Sequence, residues 1–217
     1  MVASPARRRG PRSDVDARGL ILDTAERMFA EMSIGAVSLR GVAREAGVAN
    51  RAVAYHFTSK RDLVAAVAHR RSREIFPDTA ERLHVLAKET DITVRDVVEA
   101  LVAPHVRLLE LDPVGGLRWL KVMTQLALDD DPIWIQEMAM EPSLAELFVV
   151  AARRAVPDLK TAKVRQRTTL AIFSMISALA GSDLAAYGRP LTGEGLDPQW
   201  LDQLIEFTCG GLRGNSA

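Results

Sequence analysis

Asn50, Arg51, Tyr55 and His56 fall within seven residues: an amide, a guanidinium, a phenol and an imidazole, all able to hydrogen-bond a polar or anionic partner. The residues just upstream are spaced to hold them outward. Ala43 is small enough for a second helix to cross close by, Gly47 supplies a left-handed turn, and Val48 and Val53 plug the angle between two helices. This is the chemistry of a helix-turn-helix, whose outer third-helix side chains are free to reach DNA. An Ala-Gly-Val turn also closes ordinary helical hairpins in enzymes; here the basic surroundings favour DNA.

Other chemistries lack their residues. The four histidines, His56, His69, His84 and His105, show no i, i+4 pairing and no cysteine partner, so no zinc site is expected. There is no phosphate loop, no dinucleotide fingerprint and no G-x-S-x-G elbow. No cofactor and no catalytic residue is therefore expected. An all-α enzyme would need convergent titratable groups in the C-terminal part, which offers none with recognisable spacing. An adaptor that had given up DNA would have lost its basic contact residues, yet Arg40, Arg51, Tyr55, His56 and Lys60 are all present.

The net charge of zero hides an asymmetry: residues 1–73 hold 14 Lys and Arg against 7 Asp and Glu, and residues 74–217 hold 14 against 21. A basic segment joined to an acidic one suggests that one end meets a polyanion. With 48% apolar and 26% charged residues, the 217-residue chain has the composition of a globular protein with a real core. A single cysteine, Cys209, excludes an internal disulfide and fits a reducing cytoplasm. No apolar run follows the basic start, so no secretory signal is expected. The most apolar stretch, residues 170–180, is far shorter than the roughly 20 residues that span a bilayer.

The elements that position the polar cluster are helical. Residues 1–14, with four arginines, predict a disordered basic arm. From Val15, Ile21, Ala25, Met28 and Met32 recur at helical spacing with Leu22 and Phe29 beside them, while Asp23, Glu26, Arg27 and Glu31 face away. Ser38 caps a second helix with Leu39, Val42, Ala43 and Ala46 inward, and a third runs from about Asn50 to His56. Ser59 and Asp62 open a fourth. Longer amphipathic segments follow beyond Pro77 at 93–111, 116–128, 133–155, 160–187 and 198–212, and no strand is expected. The expectation is an all-α chain: a DNA-binding domain over 15–62, a connecting helix over 63–75, and a larger helical domain over 76–213.

The run Ala46-Gly47-Val48-Ala49-Asn50-Arg51-Ala52-Val53-Ala54-Tyr55-His56-Phe57-Thr58-Ser59-Lys60, followed by Leu63 and preceded by Phe29-Ala30-Glu31, resembles the signature of the TetR family of bacterial transcription regulators. The resemblance is close over residues 15–65 and architectural beyond. It implies a cytoplasmic homodimer on a palindromic operator, by family default a repressor. It also implies that Arg40, Asn50 and Arg51 read base edges, while Ser38, Tyr55, His56 and Lys60 hold phosphates. Two departures stand out. Ala49 occupies the usual capping Ser or Thr position, so Asn50 either caps the third helix or reads a base. Ala54 replaces an aromatic, shifting its role to Tyr55. The arm either adds phosphate or minor-groove contacts or is a leader without a role.

The resemblance further implies that the C-terminal helices dimerise and enclose a small-molecule effector. The segment 164–187 is apolar on more than one face, and the last helix carries Trp200, Leu204 and Phe207 beside Leu201, Ile205 and Leu212. Two such helices packed on their symmetry mates form a four-helix interface. Trp119, Met123, Trp134, Met138 and Phe173 either line an adaptable apolar cavity or are plain core; Met140, Leu147 and Phe148 extend the stripe. The layout around 93–120 is loosely similar to a branch of the family answering to fatty acids or acyl-CoA. Arg118, His105 and Arg107 are candidate carboxylate anchors or surface groups. The alternative is a regulator of drug efflux answering to xenobiotics.

Overall fold

A computed structural model of the protein describes residues 12–139 and 143–214. It divides into two compact units, Met1–Val67 and Ala68–Ala217. The all-α expectation holds, apart from one minimal hairpin. Most of the sequence-predicted arm, residues 1–11, lies outside the described residues, as does Met140. Residues 12–14 are already helical, because α1 spans Arg12–Met32. The breakers Gly10 and Pro11 come before it in the chain, and no residue from 12 to 18 opposes a helix.

In the first unit, α1 packs Ile21, Leu22, Ala25, Met28 and Phe29 against Val42 and Ala43 of α2 (Leu39–Glu45) and Val53 of α3 (Asn50–His56), all buried. Two α1 residues depart from expectation. Glu26 is buried, because at i+4 from Leu22 and i−3 from Phe29 it shares their stripe. Met32, at the helix end, is about half exposed.

The turn between α2 and α3 has a definite chemistry. Gly47 sits at φ +66°, its N–H donates to the Arg44 carbonyl at 3.3 Å, and Val48 N–H donates to the Ala43 carbonyl at 3.0 Å. These two bonds are a Schellman motif, in which the left-handed residue has no Cβ to strain. Ser38 caps α2, its hydroxyl accepting from Gly41 N–H at 3.1 Å. Arg27 of α1 pairs with Glu45 of α2 at 2.5 Å. Phe57 is buried beneath the Arg18 guanidinium, which lies 5.4 Å from its ring centre.

Helix α4 spans Lys60–Leu86, so the separate connector expected over 63–75 is one stretch of a longer helix. It continues through Pro77, beyond the end at residue 75 expected for the connector. Ile75, Phe76, Thr79 and Leu83 around the proline are all buried, and this packing outweighs the lost N–H. The Thr79 hydroxyl donates to the Ile75 carbonyl at 2.8 Å.

The second unit adds α5 (Val94–Leu111), α6 (Pro113–Leu128), α7 (Pro132–Met138), α8 (Leu144–Ala155), α9 (Thr161–Ala180) and α10 (Pro198–Arg213). Its core centres on Leu109, Trp119, Leu120, Met123, Phe148, Met175 and Leu179. The single amphipathic segment expected over 133–155 is two helices: Ser143 caps α8, accepting from Glu146 N–H, and Pro142 precedes it in the chain. The segment expected over 160–187 ends at Gly181, where a Cβ would come within 2.7 Å of the Tyr187 ring. Beyond it, Leu191–Thr192 and Gly195–Leu196 pair as an antiparallel hairpin where only a loop was expected. Cys209 on α10 is buried, which pushes its thiol above the usual range.

Candidate nucleic-acid interface and effector cavity

Helices α2 and α3 present the polar cluster. Arg40 lies in the first turn of α2, Asn50 and Arg51 open α3, and Tyr55 follows Arg51 at i+4 on the same face. All four are exposed, Tyr55 at 75%, and none makes a side-chain hydrogen bond or ion pair among the described residues. Asn50 does not cap α3. Ala49 is the N-cap and provides no side-chain bond, while Asn50 is the first helical residue and leaves its amide free. The missing cap costs about 1 kcal/mol relative to serine.

The other predicted residues are more constrained. His56 is half-buried, edge-on to Tyr55 with ring centres 5.0 Å apart. Lys60 Nζ donates to the Gly35 carbonyl at 3.0 Å, which uses one of its three donors and ties down the loop between α1 and α2. Ser38 accepts its cap bond and keeps its own proton to donate. Sequence reasoning missed Arg44, exposed one turn after Arg40 and equally unpartnered. Its signal was the i, i+4 spacing from Arg40.

In the second unit, Phe76, Thr79, Leu101, His105, Trp134, Met138, Leu144, Ile172, Met175 and Ile176 enclose a cavity of about 20 Å³, room for about one water. Trp134 and Met138 of the five predicted lining residues are here. Trp119 and Met123 are instead buried core, the Trp119 indole donating to the Ala68 carbonyl at 2.8 Å, and Phe173 is half-buried on α9. Of the three candidate anchors, only His105 reaches the cavity. Arg107 lines a separate groove with Arg71, Glu74 and Asp78, and Arg118 lines neither.

His105 is buried and its Nδ1 lies 3.1 Å from the Leu101 carbonyl. Burial is the main influence and lowers its pKa from 6.5 to about 4; the carbonyl contact opposes this weakly. The unfolded chain therefore takes up a proton near pH 6.5 that the folded chain refuses until about pH 4. The resulting stability is complete above pH 6.5 and is lost as pH falls through this window, about 3 kcal/mol in all. Urea unfolding at pH 7 and pH 4.5 checks this: a His105→Phe protein is expected to lose distinctly less stability between the two than the unsubstituted protein.

On the outer faces of the last two helices, Leu170 is 69% and Phe207 72% exposed. Phe173 and Ser177 flank Leu170's face of α9, and Leu204, Gly210 and Gly211 flank that of Phe207 on α10. Gly210 and Gly211 have open space where a Cβ would stand. Among the described residues no helix is long and apolar enough to cross a membrane, and no three or more His, Cys, Asp or Glu are grouped to hold a metal ion.

Comparison with known proteins places this geometry. Residues 21–67 match the family model for bacterial regulatory proteins of the tetR family, and residues 99–211 match that for a tetracyclin repressor-like C-terminal domain. No curated protein matches the chain. Among solved structures, the fatty acid degradation regulator FadR from Bacillus halodurans is 19% identical, with a TM-score of 0.58 over 96% of this chain and 100% of that one. AmtR from Mycobacterium smegmatis is 18% identical, with a TM-score of 0.60 over 99% and 92%. The ketosteroid transcriptional regulator KstR2 of Mycobacterium tuberculosis is 19% identical, with a TM-score of 0.59 over 97% and 98%. At these identities the likeness is one of fold.

Proposed function

Because the chain belongs to the TetR family of transcriptional regulators, we propose that it is a cytoplasmic repressor that holds a palindromic operator as a homodimer and releases it on binding an apolar effector. The observation that carries the DNA half is the row of exposed, unpartnered groups on α2 and α3. Arg40, Asn50 and Arg51 meet base edges in the major groove, where arginine pairs with guanine and asparagine with adenine. Ser38, Arg44, Tyr55, His56 and Lys60 hold the phosphates.

The dimer forms through α9 and α10, whose exposed Leu170 and Phe207 need an apolar cover. The cavity is the effector site. Among the described residues its walls carry no charged side chain, which favours an apolar, acyl-like body over a cationic xenobiotic. Two methionines line it, and their unbranched side chains re-pack readily, so the cavity can enlarge around a ligand. Phe76 and Thr79 of its wall belong to the same continuous helix as Lys60, so the sensing and DNA-binding functions share one hydrogen-bonded element. No catalytic residue is proposed, in keeping with regulators of this kind.

Selection of bound fragments from a random DNA pool by the purified protein tests the proposal. A palindromic consensus is the expected result. No enrichment even at low salt, where phosphate contacts are strongest, would overturn it.

A further inference from the structure

We propose that the cavity selects an uncharged ligand bearing a hydrogen-bond donor, such as a hydroxyl, which His105 accepts through Nε2, and that it rejects free carboxylates. This rests on the reading that the cavity is the effector site.

The inference follows from an inventory of polar atoms. A carbonyl oxygen can only accept, so the 3.1 Å contact with Leu101 requires the His105 proton on Nδ1. Buried among Phe76, Leu101, Met138 and Ile172, the ring stays neutral, and Nε2 is left as a lone-pair acceptor with no partner among the described residues. The Thr79 hydroxyl spends its proton on the Ile75 carbonyl, so it too offers only lone pairs. Trp134 adds a single neutral indole N–H. Among the described residues no lysine or arginine lines the cavity.

A carboxylate placed there would lose its water and meet two acceptors and no cation. A hydroxyl would donate to Nε2 while its carbon chain took the apolar space opened as Met138 and Met175 re-pack. A carbonyl or ether of the same shape would have nothing to donate. The cavity thus sorts ligands by head group, and its lining supplies the apolar contact common to all of them.

Three probes, each with a chain of ten carbons, separate these cases: 1-decanol, its methyl ether and decanoate, each titrated at pH 7.5 into the full-length protein. Binding is followed by quenching of tryptophan emission, since Trp134 lines the cavity. Decanol is expected to bind roughly fivefold to tenfold more tightly than the ether, the worth of one net hydrogen bond. Its advantage over decanoate is expected to be on the order of a hundredfold or more. In a His105→Leu protein the preference for alcohol over ether should vanish while ether binding stays.

Decanoate binding as tightly as decanol, or an alcohol preference that survives in His105→Leu, would overturn the inference and leave the cavity as the effector site. No binding by any of the three would overturn the cavity assignment and the inference together. The ranking in the unsubstituted protein decides even if the variant fails to fold.

Discussion

Replacing Arg51 with alanine is expected to weaken binding to the selected operator by about 2–6 kcal/mol, roughly thirtyfold to twenty-thousandfold, and to erase the base preference at one position of each half-site. The size comes from symmetry: a bidentate arginine contact discriminates by roughly 1–3 kcal/mol, and a homodimer makes it twice. Arg51 is suited to the test because it is exposed and holds no partner among the described residues, so its removal orphans none of them. Lys60→Ala is the matched control. It should weaken all sequences about equally and lower the steepness of the salt dependence by about one ion per protomer. Fluorescence anisotropy with the consensus and single-base variants, across salt concentrations, separates the two. Unchanged base preference in Arg51→Ala would remove this residue from the recognition set.

Phe207→Glu is expected to raise the dimer dissociation constant by at least a thousandfold, about 4 kcal/mol, because each protomer would bring a carboxylate into an interface built from apolar side chains. The fold of each protomer should hold, since Phe207 is 72% exposed and substitutions at such positions change stability by about 0.5 kcal/mol or less. Sedimentation should show a folded monomer, and operator affinity should drop to that of a single half-site. Phe207→Leu should remain dimeric. A dimer that survives the glutamate would move the interface away from α10.

How much of this could be read beforehand depended on the kind of signal. Helix α3 was predicted over its observed span because its limits are chemical: a left-handed glycine before it and buried Phe57 after it. The connector's end at residue 75 fell short of the observed one, since the packing that carries α4 through Pro77 does not show in the sequence. The break between α7 and α8 was hidden because an apolar stripe continues across it. The hairpin at Leu191 and Leu196 is too short to show any alternation.

The cavity shows a different limit. Trp119 and Trp134 look alike in sequence, both at helical spacing among apolar neighbours. Periodicity indicates that a side chain is buried, and whether atoms fill the space beside it depends on distant helices. For His105, the residue type suggested a carboxylate anchor. The role proposed for it turns on burial and on the carbonyl one helical turn away, neither of which a candidate list of cations contains.

The lone thiol on α10 gives the protein a built-in clock. Cys209 is buried and its pKa raised, so a thiol reagent reaches it as a thiolate only in the moments when the last helix loosens. The rate of its modification therefore counts those openings directly, without any introduced probe. Because no other cysteine competes, that one rate reads how firmly a bound operator or effector holds the end of the chain in place.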